Sequence, residues 1–256
     1  MRFLFLDKAN LEKDMTGADF ESVDLIFTLG TTATMLAKDS IHDVPIVFAN
    51  VLDPLGNGII RSMASSGANL TGVALDIPIE TQFETMLSAL PDMHTIGVLY
   101  DPRENNAIVA TASRVAQDMG LILRACPVSS EKEIPGAIQD LQSEIDALWG
   151  IADRTVFSPN SRDFIILFTL RNKMPFMGFS AQFVKAGALL ALYADSADIG
   201  RQSGDLAAQI LNGTNPTELH IMLPRRVNLA VNLRVAERMG VTLPPQMVGK
   251  ADMVLR

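Results

Sequence analysis

Short β-rich runs that alternate with amphipathic helical patterns constrain the fold of this chain more than any other feature. The runs fall at residues 2–6, 24–29, 45–49, 95–100, 121–127, 147–151 and 174–178. Most are continuously apolar over four to six residues, which is the pattern of parallel strands buried on both faces. Between them, amphipathic periodicity predicts helices over 79–90, 106–119, 134–142, 158–171 and 199–211, the last opened by Asp198 and closed by Gly213. Alternating strands and helices imply α/β architecture, with parallel sheets flanked by helices.

The pattern breaks near residues 71–78, after the Gly/Ser-rich stretch Ser65-Ser66-Gly67-Ala68-Asn69. Two βα sets joined there predict two Rossmann-like lobes with a ligand cleft between them. The N-terminal lobe is expected over 1–75 plus about 192–215, and the C-terminal lobe over 76–191 plus about 216–256. Beyond Gly187 the pattern is a strand, a helix, a strand-like stretch over 219–231 and a short terminal helix. A length of 256 residues suffices for two such cores.

Composition narrows the function. The hydrophobic fraction of 48 % and charged fraction of 20 % exclude a disordered chain. A net charge of −8 gives no electrostatic footprint for nucleic acid. The apolar runs are far shorter than the roughly 20 residues that span a bilayer. Cys126 stands alone and reads as a small strand hydrophobe. Trp149 lies in a core strand, where packing outweighs ligand stacking. His42, His94 and His220 have no metal-ligand spacing. The phosphate-loop, dinucleotide and nucleophile-elbow patterns are absent. No catalytic residue, metal or cofactor is therefore expected.

In open α/β sheets ligands bind beyond the carboxyl ends of the strands. The loops there are Gly30-Thr31-Thr32-Ala33-Thr34, Asn50-Val51-Leu52-Asp53, Asp101-Pro102-Arg103-Glu104-Asn105-Asn106, Ala152-Asp153-Arg154-Thr155 and Phe179-Ser180-Ala181-Gln182. Each offers an acid, an amide or a hydroxyl. Hydroxyls and N–H groups at a helix start can receive a carboxylate, and the same residues also fit an ordinary N-cap. Together the loops suit a small ligand bearing a carboxylate and an ammonium.

The runs "VDLIFTLGTTAT", "VPIVFANVLDPLGNGI", "GANLTGVALDIPIETQFETMLSALPDMHTIGVLYDPRENN", "CPVSSEKEIPGAI", "FVKAGALLALYADSADIGRQSGDLAAQILNG" and "VNLAVNLRVAERMGVTLPP" resemble, in order, the ABC-transporter substrate-binding proteins of the tryptophan-binding type. That family has a type I periplasmic-binding-protein fold, and the resemblance runs from about Val23 to the C-terminus. It implies a non-enzymatic carrier that closes two lobes around a small ligand and delivers it to ABC permease subunits. Family members with known ligands bind aromatic amino acids. Carried over by position, the resemblance implies ligand contacts at Thr31, Thr32, Asp53, Asn106, Asp153, Thr155 and Asp195. The hydroxyls would hold the carboxylate, with Asp153 or Asp195 facing the ammonium. On that reading Asp153→Ala abolishes binding and leaves the circular dichroism unchanged.

The chain departs from the family pattern in three places. Arg154 stands where the family has Asn, and Ser180-Ala181-Gln182 replaces an acidic stretch. The run at 2–6 matches the family's second strand, so the first βα unit is expected to be missing from the N-terminal lobe. The resemblance implies a periplasmic or extracellular, membrane-associated location. A start at Met1 with no signal peptide would instead imply a cytoplasmic sensing domain of the same fold, signalling to a protein partner.

Overall fold

The computed structural model describes residues 23–256. The strand expected at 2–6, and with it the missing βα unit, lies outside these residues. The chain divides into two compact units, Met1–Asp76 with Ala194–Arg226, and Ile77–Tyr193 with Val227–Arg256.

The first unit is built on a three-stranded parallel sheet of β1 (Ile26–Leu29), β2 (Ile46–Val51) and β3 (Leu70–Ala74), with β2 in the centre. Helix α1 (Thr31–Ser40) follows β1. Strand β2 is almost wholly buried, as its apolar sequence up to Ala49 predicts. Phe48 and Ile46 pack with Leu70, Ile59 and Ile221 on one side of the sheet, and Val47 and Ala49 pack with Val73, Ile199 and Leu206 on the other. Strand β3 has no counterpart among the apolar runs, because Thr71 and Gly72 interrupt it. Gly72 is required there: a Cβ would lie 2.3 Å from the Phe48 carbonyl oxygen and 2.5 Å from its Cγ. Strand β1 ends the sheet among the described residues, with Phe27 and Leu29 43 % and 65 % exposed.

The second unit carries a seven-stranded sheet. Its elements are α2 (Ile79–Ala89), β4 (Thr95–Tyr100), α3 (Pro102–Asp118), β5 (Ile122–Pro127), α4 (Ile134–Leu141), β6 (Ala147–Trp149), α5 (Pro159–Arg171), β7 (Phe176–Gly178), α6 (Ala181–Ala186) and β8 (Leu190–Ala194). The chain then returns to the first unit through α7 (Ser196–Leu211), before β9 (Val227–Asn232), α8 (Leu233–Met239), α9 (Pro245–Lys250) and β10 (Met253–Leu255) complete the second. The sheet order is β10-β9-β8-β7-β6-β4-β5, and the pairs β4–β5, β4–β6, β6–β7, β7–β8 and β9–β10 are parallel. Trp149 is a core residue, edge-on to Phe83 at 5.1 Å, with its Nε1–H donating to Gln82.

Two helices begin earlier than the apolar periodicity suggests. Asp101 caps α3 and Pro102 takes its first position, so this helix starts four residues before the expected 106. Asp195, not Asp198, caps α7 by accepting from the N–H groups of Ala197 and Asp198. Asp198 thereby joins the buried face with Ile199, Gln202, Ser203 and Leu206. The stretch expected as one strand over 219–231 is two pieces separated by Pro224. Met222 bridges Val73 in the first unit, while Val227–Asn232 forms β9 in the second. Asp198 and Gln202 hold the first piece: Arg225 donates twice to the Asp198 carboxylate at 2.8 and 3.0 Å, and Gln202 bonds Leu223 O and Arg225 N–H.

Candidate ligand-binding site

In the first unit Thr31, Thr32 and Asp53 follow the strand ends, and Asp195 opens α7. Helix α1 starts at Gly30, whose φ of 82° places it in the region glycine tolerates, and no side chain caps the helix. Thr34 turns inward, its hydroxyl contacting Thr28 Oγ1 at 2.9 Å and donating to Gly30 O. Thr31 is half-buried and Thr32 exposed, and neither hydroxyl spends itself on a cap. The first-turn N–H groups therefore keep their capacity for an anion.

Asp53 adopts a left-handed φ of 44°, and its carboxylate accepts from Gly56 N–H at 2.9 Å. Its own N–H lies 3.0 Å from both oxygens of Asp76. Burial, and to a lesser degree the Asp53 charge, push the Asp76 carboxyl up to about 6. Asp53 thus shapes its turn. Asp195 is likewise occupied, with one oxygen capping α7 and the other 3.4 Å from the Arg226 guanidinium.

In the second unit the loops after β4 and β6 meet in one polar network. Asp153, 4 % exposed, accepts four hydrogen bonds: Asp101 N–H at 2.7 Å and Asn105 Nδ2 at 2.8 Å on one oxygen, Thr155 N–H at 3.0 Å and Val156 N–H at 2.9 Å on the other. Both oxygens are saturated, which leaves no lone pair for an ammonium. The Thr155 hydroxyl donates to Asp101 Oδ2 at 2.8 Å. Arg103 grips the same Asp101 carboxylate through Nε and its terminal nitrogen, and donates onward to Ser129 O. Those bonds from Arg103 hold the Asp101 carboxyl well below the usual carboxylate range.

The structure joins Asp153 and Thr155 but not Asn106, which is exposed on α3. Asn105 is the buried amide. Residues Asp101, Arg103 and Asn105 all stand in a loop the sequence marks. The Asp-Pro start of α3 was the signal that separates them: counted from Pro102, Asn105 falls in line with Val109, Ala112 and Ala116 on the buried face.

Beside Thr155, the loops after β6 and β7 bring together an aromatic cluster. Phe157 stacks on Phe176 at 6.1 Å and meets Phe179 and Phe183 edge-on at 5.4 and 5.2 Å. Phe157 and Phe179 are only half-buried, so this unit presents apolar rings next to its polar network. Arg154, the departure from the family pattern, is exposed and pairs with Glu104 at 3.4 Å. A separate groove lies between β5 and α4, lined by Arg124, Cys126, Asp140 and Glu144. Burial raises the Cys126 thiol there above its ordinary range, which favours its protonated form. No cluster of His, Cys, Asp or Glu fit for a metal occurs among the described residues, and no described helix is long and apolar enough to cross a membrane.

Parallel sheets flanked by helices, with polar and aromatic groups gathered at the carboxyl ends of their strands, define a small-molecule-binding protein of the periplasmic-binding type. The chain belongs to the ABC transporter substrate binding protein family, whose model matches residues 9–255. Members of that family bind substrates and are not enzymes. The chain is 25 % identical over 211 residues to a tyrosine-binding protein of Clostridioides difficile, an alignment covering 82 % of this chain and 61 % of that relative. The chain thus spans about three-fifths of the length of the curated relative it matches. An ABC domain from Streptococcus pneumoniae in complex with L-Trp is 25 % identical with a TM-score of 0.74, over 91 % of this chain and 79 % of that one. A ligand-free, open substrate-binding protein from Clostridium difficile shares the fold at a TM-score of 0.78 and 24 % identity, over 92 % and 79 % of the two chains.

Proposed function

We propose that this chain is the solute-capturing component of an ABC-type uptake system and binds an aromatic amino acid. One observation supports the ligand class above the others: helix α1 opens without a side-chain cap, leaving N–H groups and the Thr31 and Thr32 hydroxyls for a carboxylate. The half-buried rings of Phe157 and Phe179 suit an apolar or aromatic side chain. The relatives that bind tyrosine and tryptophan favour the same class.

In this reading each unit supplies part of the contacts, and ligand favours a closed arrangement by its greater affinity for it. Asp153 and Asp195 act on the ligand indirectly, by fixing the loops that carry Thr155 and open α7. Delivery is to permease subunits on the outer side of the membrane.

A thermal-shift panel of L-tryptophan, L-tyrosine, L-phenylalanine and glycine tests the proposal. An aromatic amino acid at ten times its dissociation constant should raise stability by about 1.4 kcal/mol. Glycine should do less at the same concentration. A folded sample that none of the three aromatic amino acids stabilises sinks the proposal.

A further inference from the structure

The carboxyl end of β2 carries a feature that neither the family motifs nor the contacts above account for. Pairing between β2 and β3 shifts register between Ala49 and Val51, so Asn50 bulges from the ladder. Asn50 also has a left-handed φ of 56°. Its side-chain carbonyl oxygen is buried and accepts no hydrogen bond. A bulge, a left-handed residue and an orphaned acceptor each carry a cost, and such costs persist where function needs them.

The location is specific. Leu29 pairs with Ala49, and Gly30 N–H donates to Ala49 O at 2.9 Å. Asn50 is therefore the next residue along, beside the uncapped start of α1. An orphaned carbonyl oxygen lacks a donor. The two carboxylates expected to face an ammonium are already occupied, Asp153 by four protein donors and Asp195 by its helix and Arg226.

We propose that Asn50 is a ligand-contacting residue whose Oδ1 accepts a hydrogen bond from the ammonium of the bound amino acid, while the adjacent start of α1 receives its carboxylate. The first unit then reads the zwitterionic head that all amino acids share. The terminal amide torsion of Asn is soft, so Oδ1 can turn towards an incoming donor. The inference rests on the reading of this chain as an amino-acid-binding protein.

Asn50→Gly separates the cost from the contact, because glycine accepts the left-handed backbone and removes the orphan together. The experiment compares wild type and Asn50→Gly by ligand-free melting and by calorimetric titration. The probes are L-tyrosine, L-tryptophan and 3-(4-hydroxyphenyl)propanoate, which keeps the carboxylate and lacks the ammonium. The variant should melt higher without ligand and bind both amino acids about tenfold more weakly or worse, as loss of a charge-assisted bond requires. It should bind the ammonium-free analogue as wild type does. Undiminished affinity of the variant for the amino acids overturns the proposal, as does an equal loss for the analogue. A variant that melts lower without ligand also overturns it, since the amide would then be holding the loop. Wild type that binds neither amino acid overturns the functional reading, and this contact with it.

Discussion

Replacing Asp153 with Ala should lower the stability of the second unit by about 3–4 kcal/mol, because it leaves several buried donors without an acceptor at once. The Asp153 carboxylate receives the N–H groups of Asp101, Thr155 and Val156 together with the Asn105 amide, which also donates to Ala152 O. Water can reach the Thr155 edge, but the bonds from Asp101, Asn105 and Val156 are buried. Trp149 is the only tryptophan of the chain and lies in the core of this unit, so its fluorescence reports the transition directly. Denaturant unfolding should show an earlier midpoint with the slope preserved. Asp153→Asn, which keeps one acceptor oxygen, should lose roughly half as much. A midpoint for Asp153→Ala that matches wild type would show that the network relaxes without it. Ligand binding should weaken in step with stability. Loss of binding with an unperturbed fold, the outcome expected from position alone, does not fit a carboxylate whose lone pairs are all spent within the protein.

That contrast shows what the residues declare and what they conceal. Apolar runs such as 45–49 and 95–100 are legible as buried parallel strands, since a strand buried on both faces carries apolar residues without alternation. Strand β3 is not, because its central Gly72 exists to let Phe48 approach, and that contact is made by a residue distant in sequence. The loops that hold the candidate site are legible too, being the strand ends of an α/β chain. The role of each residue within them is not. Asn105 and Asn106 are chemically identical, and only the start of α3 decides which is buried. Asp153 and Asp195 read alike as strand-end carboxylates, and the protein donors each accepts from are set by loops distant in sequence or by the helix start. The signal of Asn50 is a backbone angle and an unmet bond, neither of which has a sequence pattern.

A second large effect is expected at Asp76, where stability should rise as the pH falls from 7 to 5. Burial raises the carboxyl of this residue from 3.8 to about 6, with the nearby Asp53 charge adding to the shift. In that interval the folded chain binds a proton that the unfolded chain does not, so stability falls as the pH climbs through it. Above about 6 both states are ionised and the whole cost is present, about 2–3 kcal/mol for a shift of this size. Asp101 and Asp198 work in the opposite sense. Arginine partners hold both below their ordinary range, so their contribution is present above about 4 and fades only in stronger acid. The interval between pH 5 and 7 therefore isolates Asp76 from them. Asp76→Asn keeps an acceptor for Asp53 N–H and cannot ionise. It should be more stable than wild type at pH 7 by about 2 kcal/mol, and the gap should narrow by roughly half towards pH 5 and close only near pH 4. Tryptophan and tyrosine are absent from the first unit, so calorimetry is the appropriate readout. Parallel stability curves for the two proteins across that range would mean that Asp76 ionises in the folded chain at no cost.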